Sequence, residues 1–308
     1  MKKYYSASNA VRKNAIYTLF LLPGLLYIIL NNYVPMAGIF IAFKKINYRD
    51  GIFGSPWVGM DNFQFLFRSK DAGIMIRNTL LYNLSFIVLG TVFAVIIAIQ
   101  LCELRGSRSA KIFQGSLIIP HLLSWIIVSY IVYSFLSSDT GFLNNSVLKK
   151  LGLPTNNWYG DNHAWPVIIP IVYLWKSAGY SSIVYMASIS GIDPALFEAA
   201  KIDGAGKLRQ IFYITLPLIR PTVIIMTLMA IGGIFYSDFG LFYQVPMNSG
   251  LLYASTQTID TYVYRALIKL GSIEMSSAAG VMQSVMGFVV VLTANLIVRK
   301  IDPDNSLF

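Results

Sequence analysis

The chain is poor in charge. Asp, Glu, Lys and Arg make up 12% of its 308 residues, against about 25% in soluble domains. That deficit excludes an ordinary water-soluble globule. Cysteine is almost absent as well. Cys102 stands alone, which rules out an intrachain disulfide or a thiolate metal cluster and leaves packing near a membrane boundary as its role. His121 and His163 are too few and too far apart in sequence for a zinc site. There is no internal repeat, no low-complexity segment, and no serine, cysteine or carboxylate constellation that would support catalysis. The run Gly204-Ala205-Gly206-Lys207-Leu208 has the look of a phosphate-binding loop and fails as one. Lys201 stands where the first glycine belongs and Leu208 where Ser or Thr is needed, so the chain should not bind ATP itself.

Long apolar runs are what the sequence does have. Hydrophobic residues make up 56% and the mean hydropathy is +0.60. Uncharged stretches cover residues 14–43, 78–100, 112–138, 221–237 and 275–298, and a sixth, 164–189, is interrupted by Lys176. Most of them reach the ~20 residues that a helix needs to cross a bilayer core. The run after Pro221 is shorter, and its helix is expected to carry Asp238 near one end. The prediction is an all-α integral membrane protein with six transmembrane helices. The first run is too long for a signal peptide and lacks a small-residue cleavage site. It is therefore read as a retained helix, kinked at Pro23 and Pro35.

The net charge of +10 does not point to nucleic acid, because no basic helix or stacking motif accompanies it. Lys2, Lys3, Arg12 and Lys13 precede the first run. Arg105, Arg108 and Lys111 follow the second, Lys201, Lys207, Arg209 and Arg220 follow the fourth, and Arg299 and Lys300 follow the last. These segments fall on one side, which the positive-inside rule makes cytosolic, giving an N-in/C-in topology. The first outer loop, about 44–74, is basic too, with Lys44, Lys45, Arg49, Arg68 and Lys70, and is expected to form a turn and a short interfacial helix. A tip at Asn156–Asp161 in the second outer loop is a candidate pore mouth. Residues 1–308 read as a single membrane domain, with a core at about 75–299.

The most specific stretch lies between the fourth and fifth runs, at about 190–220. Asp193 is a good N-cap and Pro194 suits a first helical turn. A helix should therefore run through Leu196, Glu198, Ala199 and Ala200 to Ile202, with Gly204 as a left-handed stop after Asp203. A second short helix, Lys207 to Tyr213, should then meet Pro217 and Pro221, which return the chain to the bilayer. Such a loop is either an amphipathic helix lying on the membrane or a handle for a partner.

Glu198-Ala199-Ala200, three residues, Gly204, nine residues, then Ile214-Thr215-Leu216-Pro217 resembles the EAA loop of ABC importer permeases. Asp203-Gly204-Ala205 fits its common extension. Beyond the loop, Tyr33-Val34-Pro35-Met36, Ala42-Phe43-Lys44, Gly54-Ser55-Pro56-Trp57-Val58-Gly59 and Trp175-Lys176 resemble the carbohydrate-importer branch, above all permeases related to the maltose and alginate systems. The resemblance covers nearly the whole chain.

It implies the type I permease fold and a multi-pass subunit of the bacterial cytoplasmic membrane. The chain would form half of a translocation pathway for carbohydrates, oligosaccharides foremost, and Lys176 with the basic first loop hints at acidic ones among them. The implied partners are a second homologous permease, two cytosolic ABC ATPases and an extracytoplasmic solute-binding protein, with membrane lipid around them. ATP and Mg would be bound by the ATPases and no cofactor by this chain, which would be a transport subunit and not an enzyme. Leu196, Glu198, Ala199, Ala200, Asp203 and Gly204 would form the coupling helix and its turn, with Glu198 paired to a basic ATPase residue.

Ionisable groups inside membrane spans point to function by default. Lys176 and Asp238 are therefore either pore-lining or a structural arrangement, while Arg77 reads as a boundary anchor. Sugars are held by aromatic faces and polar groups, which makes Tyr133, Tyr173, Tyr180, Tyr236 and Asn83 candidates for the path. The competing class is a stand-alone, ion-coupled secondary transporter, which often shows internal repeats.

Overall fold

The computed structural model describes residues 7–69, 71–104, 108–303 and 306. Among these the chain is helical throughout, with one isolated antiparallel bridge, Lys44 to Trp57. Helix α1 (Ala7–Ile28) continues through a π turn and tighter turns, giving an apolar span over Tyr17–Phe43. Then come α2 (Ala72–Glu103), α3 (Arg108–Leu122), α4 (Trp125–Leu136), α5 (Trp165–Ser190) and α6 (Pro194–Ile202). Helix α7 covers Lys207–Gly232, α8 Phe239–Gln244, α9 Ile259–Leu270 and α10 Ile273–Ile301.

Five helices, among them α2, α5, α7 and α10, are long and apolar enough to cross a membrane. The third apolar run, expected as one span, is instead two helices bent by 100°, Lys111–Leu122 and Trp125–Leu136. Ser124 causes the break. Its backbone is extended (φ −67°, ψ 152°) and its Oγ accepts from the N–H of Ile127, so it caps a new helix. Counting the bent pair as one span makes six.

The chain packs as two compact units, residues 1–66 with 266–281, and 67–265 with 282–308. In the first, Lys44 is buried and folds the loop around itself. Its ammonium donates to the carbonyls of Ile52 (3.0 Å) and Phe53 (2.8 Å) and lies 5.3 Å from the centre of the Trp57 ring. Asn62 donates to the carbonyls of Ala42 and Lys44, and Glu274 accepts from the N–H of Ile46.

In the second unit α2 and α5 pack along their length. Gly90, Ala94 and Ala98 recur every fourth residue on α2, and both alanines are fully buried. Small residues at this spacing let helices approach closely where lipid gives no hydrophobic drive. Gly179 does the same on α5, since a Cβ there would lie 2.1 Å from the carbonyl oxygen of Leu117 on α3. One core cluster gathers Tyr82, Phe86, Val128, Trp165, Ile169 and Phe242. Another, at the other ends of α2 and α5, joins Ala94, Ala98, Tyr185 and Ile189 to Ile219 of α7.

Two expectations about the fifth span are corrected. Pro217 and Pro221 do not end a separate short helix, because Lys207–Gly232 is continuous. Pro217 has no N–H to give, and the π turn Ile211–Thr215 just before it absorbs the mismatch. Asp238 does not lie within the span. The helix stops at Gly232-Gly233, and Asp238 instead caps α8, its Oδ1 accepting from the N–H of Leu241.

Candidate functional site

The Glu-Ala-Ala loop folds as its sequence dictates. Asp193 accepts from the N–H of Ala195 at 2.9 Å, and Pro194 opens α6. At the other end Gly204 takes φ +75°, a left-handed conformation that costs any other residue a Cβ clash. The N–H groups of Asp203, Gly204 and Ala205 donate back to the carbonyls of Ala199, Lys201 and Ala200, closing the helix. Leu196, Glu198, Ala199 and Asp203 are exposed, and Ala200 is half-buried. Glu198 lines a groove of about 360 Å³ with Phe197, Lys201, Lys207 and the end of α2. Lys207 pairs with Glu103 and Arg220 with Asp302. Among the described residues these are the ion pairs, so the Glu198 carboxylate is not spent within the chain. Apolar Ile202 and Leu208 stand out beside it, 88% and 73% exposed.

At the 100° break, the carbonyls of Pro120, His121 and Leu123 accept from the Lys176 ammonium at 3.2, 2.8 and 2.6 Å. The end of α3 carries the negative end of its helix dipole, and three N–H donors meet three acceptors there. The same ammonium lies 5.0 Å from the centre of the Trp125 ring. Trp125 in turn donates its indole N–H to Asp238 Oδ2 at 2.9 Å. Gly240 makes room for that ring, since a Cβ there would lie 2.0 Å from Trp125 Cδ1. Lys176 and Asp238 are thus brought together through a residue that sequence reasoning passed over. No charge or motif marks Trp125.

The remaining candidates are dispersed. Tyr173 and Asn83 line a cavity of about 230 Å³ among α2, α5 and α7, with Phe86, Ser177 and Ser181. The Tyr173 ring stacks on Phe86 at 3.9 Å. Asn83 donates to the carbonyls of Ile234 (2.9 Å) and Tyr236 (2.8 Å), tying down the turn after α7. The Tyr236 hydroxyl shares a hydrogen bond with Ser284. Tyr180 stacks on His121 at 4.1 Å, and Tyr133 meets Tyr159 at 5.5 Å; both are exposed. Asp260 was also missed. It accepts from the N–H and hydroxyl of Ser237, and Gln283 donates to it. The tip at Asn156–Asp161 is folded around Asn144, which accepts from Trp158 and from the N–H of Asn156. Arg77 donates to the carbonyl of Ala254.

Known proteins are similar to this chain over most of its length. Residues 90–304 match the family described as "Binding-protein-dependent transport system inner membrane component". The "Polygalacturonan/rhamnogalacturonan transport system permease protein YteP" of Bacillus subtilis (strain 168) is 36% identical over 287 residues, covering 92% of this chain and 87% of that protein. A chain from the crystal structure of a bacterial ABC transporter that imports the acidic polysaccharide alginate superposes with a TM-score of 0.86. It is 31% identical, and the match covers 96% of this chain and 99% of that one. A chain from a bacterial alginate ABC transporter, in complex with a periplasmic protein carrying an alginate pentasaccharide, gives 0.85 at 30% identity over 95% and 97% of the two chains.

Proposed function

Because the chain belongs to the family of inner membrane components of binding-protein-dependent transport systems, we propose that it is the permease subunit of an ATP-driven importer of oligosaccharides, acidic ones included. It is a multi-pass cytoplasmic membrane protein and a transport subunit, as its relatives are, with ATP hydrolysis left to other chains. The near full-length likeness to the alginate importer's chain carries the reading. An extracytoplasmic solute-binding protein delivers the sugar.

The finer assignment is ours. A second, homologous permease completes the pathway, and two ATPases that bind ATP and Mg seat the Glu-Ala-Ala loops. The topology is N-in/C-in. Leu196, Glu198, Ala199 and Ala200 face the ATPase, Asp203 and Gly204 form the turn, and the unspent Glu198 carboxylate meets a basic residue. Tyr133, Tyr173, Tyr180 and Tyr236 offer ring faces along the path. Lys176, Asp238 and Asn83, whose polar groups are engaged within the chain, hold the walls.

Purification of the tagged chain from its native membrane in mild detergent, followed by mass spectrometry, tests this. A second permease-like chain and a soluble ATPase are expected with it. Repeated recovery of the folded chain alone would overturn the importer reading in favour of a stand-alone, ion-coupled carrier.

A further inference from the structure

The segment between α7 and α10 holds a guanidinium without an anion. Arg265, on α9, is half-buried. Its Nη1 donates to Asn248 Oδ1 at 3.2 Å and its Nη2 to Gln257 Oε1 at 3.0 Å, and its Cζ lies 4.1 Å from the centre of the Tyr253 ring. All of these partners are neutral. Among the described residues no carboxylate comes within ion-pair distance of it, and Asp71 acts on it only through its more distant field. Burial pulls its pKa below the ordinary guanidinium value, but a guanidinium remains charged at neutral pH. A half-buried guanidinium whose partners are neutral amides and a ring keeps its charge available to an anion.

Two independent features mark the same spot. Gln257, 4% exposed, gives its oxygen to Arg265, while its Nε2 is a buried donor without a protein partner among the described residues. Leaving such a donor unmet is costly, and an oxygen-rich ligand can meet it directly or through one water. Met247 and Asn248 are consecutive non-glycine residues at φ 53° and 47°. Backbone in that region is strained and persists where surrounding contacts over-determine it, which happens most at functional sites. Here the turn closes α8, the N–H of Asn248 donating to the carbonyl of Tyr243, and places the Asn248 side chain beside Arg265. Its Oδ1 also accepts from the Tyr253 hydroxyl at 3.1 Å, and its Nδ2 reaches toward the Tyr243 hydroxyl at 3.5 Å. Tyr243 in turn packs edge-on against the exposed Tyr264 at 5.3 Å. The result is a cation and an orphan amide beside aromatic rings, the combination that suits a carboxylate on a sugar.

The location suits it as well. The cluster follows the end of α7, whose 26 residues place it about 39 Å of helix from the Glu-Ala-Ala loop. That is the end opposite the ATPases.

We infer that Arg265, with Asn248, Gln257 and Tyr253, forms a carboxylate-recognition subsite on the entry side, which selects uronate-bearing oligosaccharides over neutral ones. This inference rests on the carbohydrate-import reading above.

The test uses the whole importer, purified with its partner subunits and binding protein, in liposomes of zwitterionic lipid so that no anionic headgroup competes. Two probes are compared, trigalacturonate and its carboxyl-reduced, neutral counterpart. The wild type should favour trigalacturonate. In Arg265→Gln the acidic-to-neutral uptake ratio should fall at least about tenfold, and Arg265→Lys should retain part of the preference. If Arg265→Gln assembles poorly, Gln257→Glu serves instead. It places a carboxylate on the guanidinium from within and should lower the same ratio. Equal loss for both probes would make Arg265 a structural or docking residue and overturn the subsite. Wild-type uptake of the neutral probe alone would overturn the subsite and leave carbohydrate import standing. Uptake of neither, by an importer with working ATPases, would overturn both.

Discussion

Lys176 and Asp238 are coupled through one indole. The ring of Trp125 lies beside the ammonium of the first, and its N–H donates to the carboxylate of the second. The two charges do not pair directly. Lys176 instead donates to three carbonyls at the break after α3, and Asp238 caps α8.

Lys176→Met is therefore expected to destabilise the subunit. It keeps an apolar stem but takes the donor from the carbonyls of His121 and Leu123, while that of Pro120 keeps the N–H of Leu123, at a cost of about 2 kcal/mol. Thermal unfolding in detergent should show a clear drop. An unchanged melting temperature would mean that the ammonium is not the clamp of the break.

Two glycines facing helix neighbours should behave in opposite ways. Gly179→Ala forces a methyl to 2.1 Å from a backbone carbonyl of α3 and should cost about 1–3 kcal/mol. At Gly90 the nearest atom to an added Cβ is 3.7 Å away, in the Tyr173 ring. Gly90→Ala should lie within about 0.5 kcal/mol of wild type. Equal effects in a melting assay would contradict the close approach of α3 and α5.

Exposure of Glu198 separates folding from coupling. Glu198→Lys should leave membrane insertion and melting unchanged while lowering uptake at least about tenfold, by placing like charges at the ATPase contact proposed above. Gly204→Pro should also abolish uptake, since proline cannot adopt φ +75°. Normal uptake by both variants would sink the coupling role.

Those two positions also show how much was legible in the sequence. The loop's start at Asp193-Pro194 and its stop at Gly204 are local chemistry, carried by the residues that perform it, and the structure places them as read. The break at Ser124 was hidden. Serine followed by tryptophan is a weak signal inside an apolar run, and the side chain that stabilises the break lies 53 residues beyond Leu123. Asp238 lies outside the span because the helix stops at Gly232-Gly233, inside an uncharged run whose length suggests that it continues. The roles of Asn83, Asn144 and Asp260 depend on contacts across the fold, which no window of sequence contains.

Acid should loosen the second outer loop. A hydrogen bond from Asn156, and then one from the N–H of His163, hold the Asp161 carboxyl below its ordinary value of 3.8. Its folded pKa being depressed, its contribution is fully present above pH 3.8 and is lost as the pH falls through the lower folded value. Amide exchange at His163, corrected for intrinsic rate, should accelerate over that acid window in wild type. In Asp161→Asn it should be independent of pH there. Identical profiles would remove Asp161 as the loop's acid-sensitive tie.

The continuity of α7 has a mechanical consequence. The segment after Gly204 is not a hinge-mounted handle but the near end of a drive shaft, and Asn83 and Asp260 anchor the turns beyond its far end. Between Lys207 and Gly232 a push can dissipate at the π turn Ile211–Thr215 and at Pro221 inside the helix. Any stroke that is not taken up there arrives at the turn after Gly232, on the side where the reading proposed above has the sugar enter.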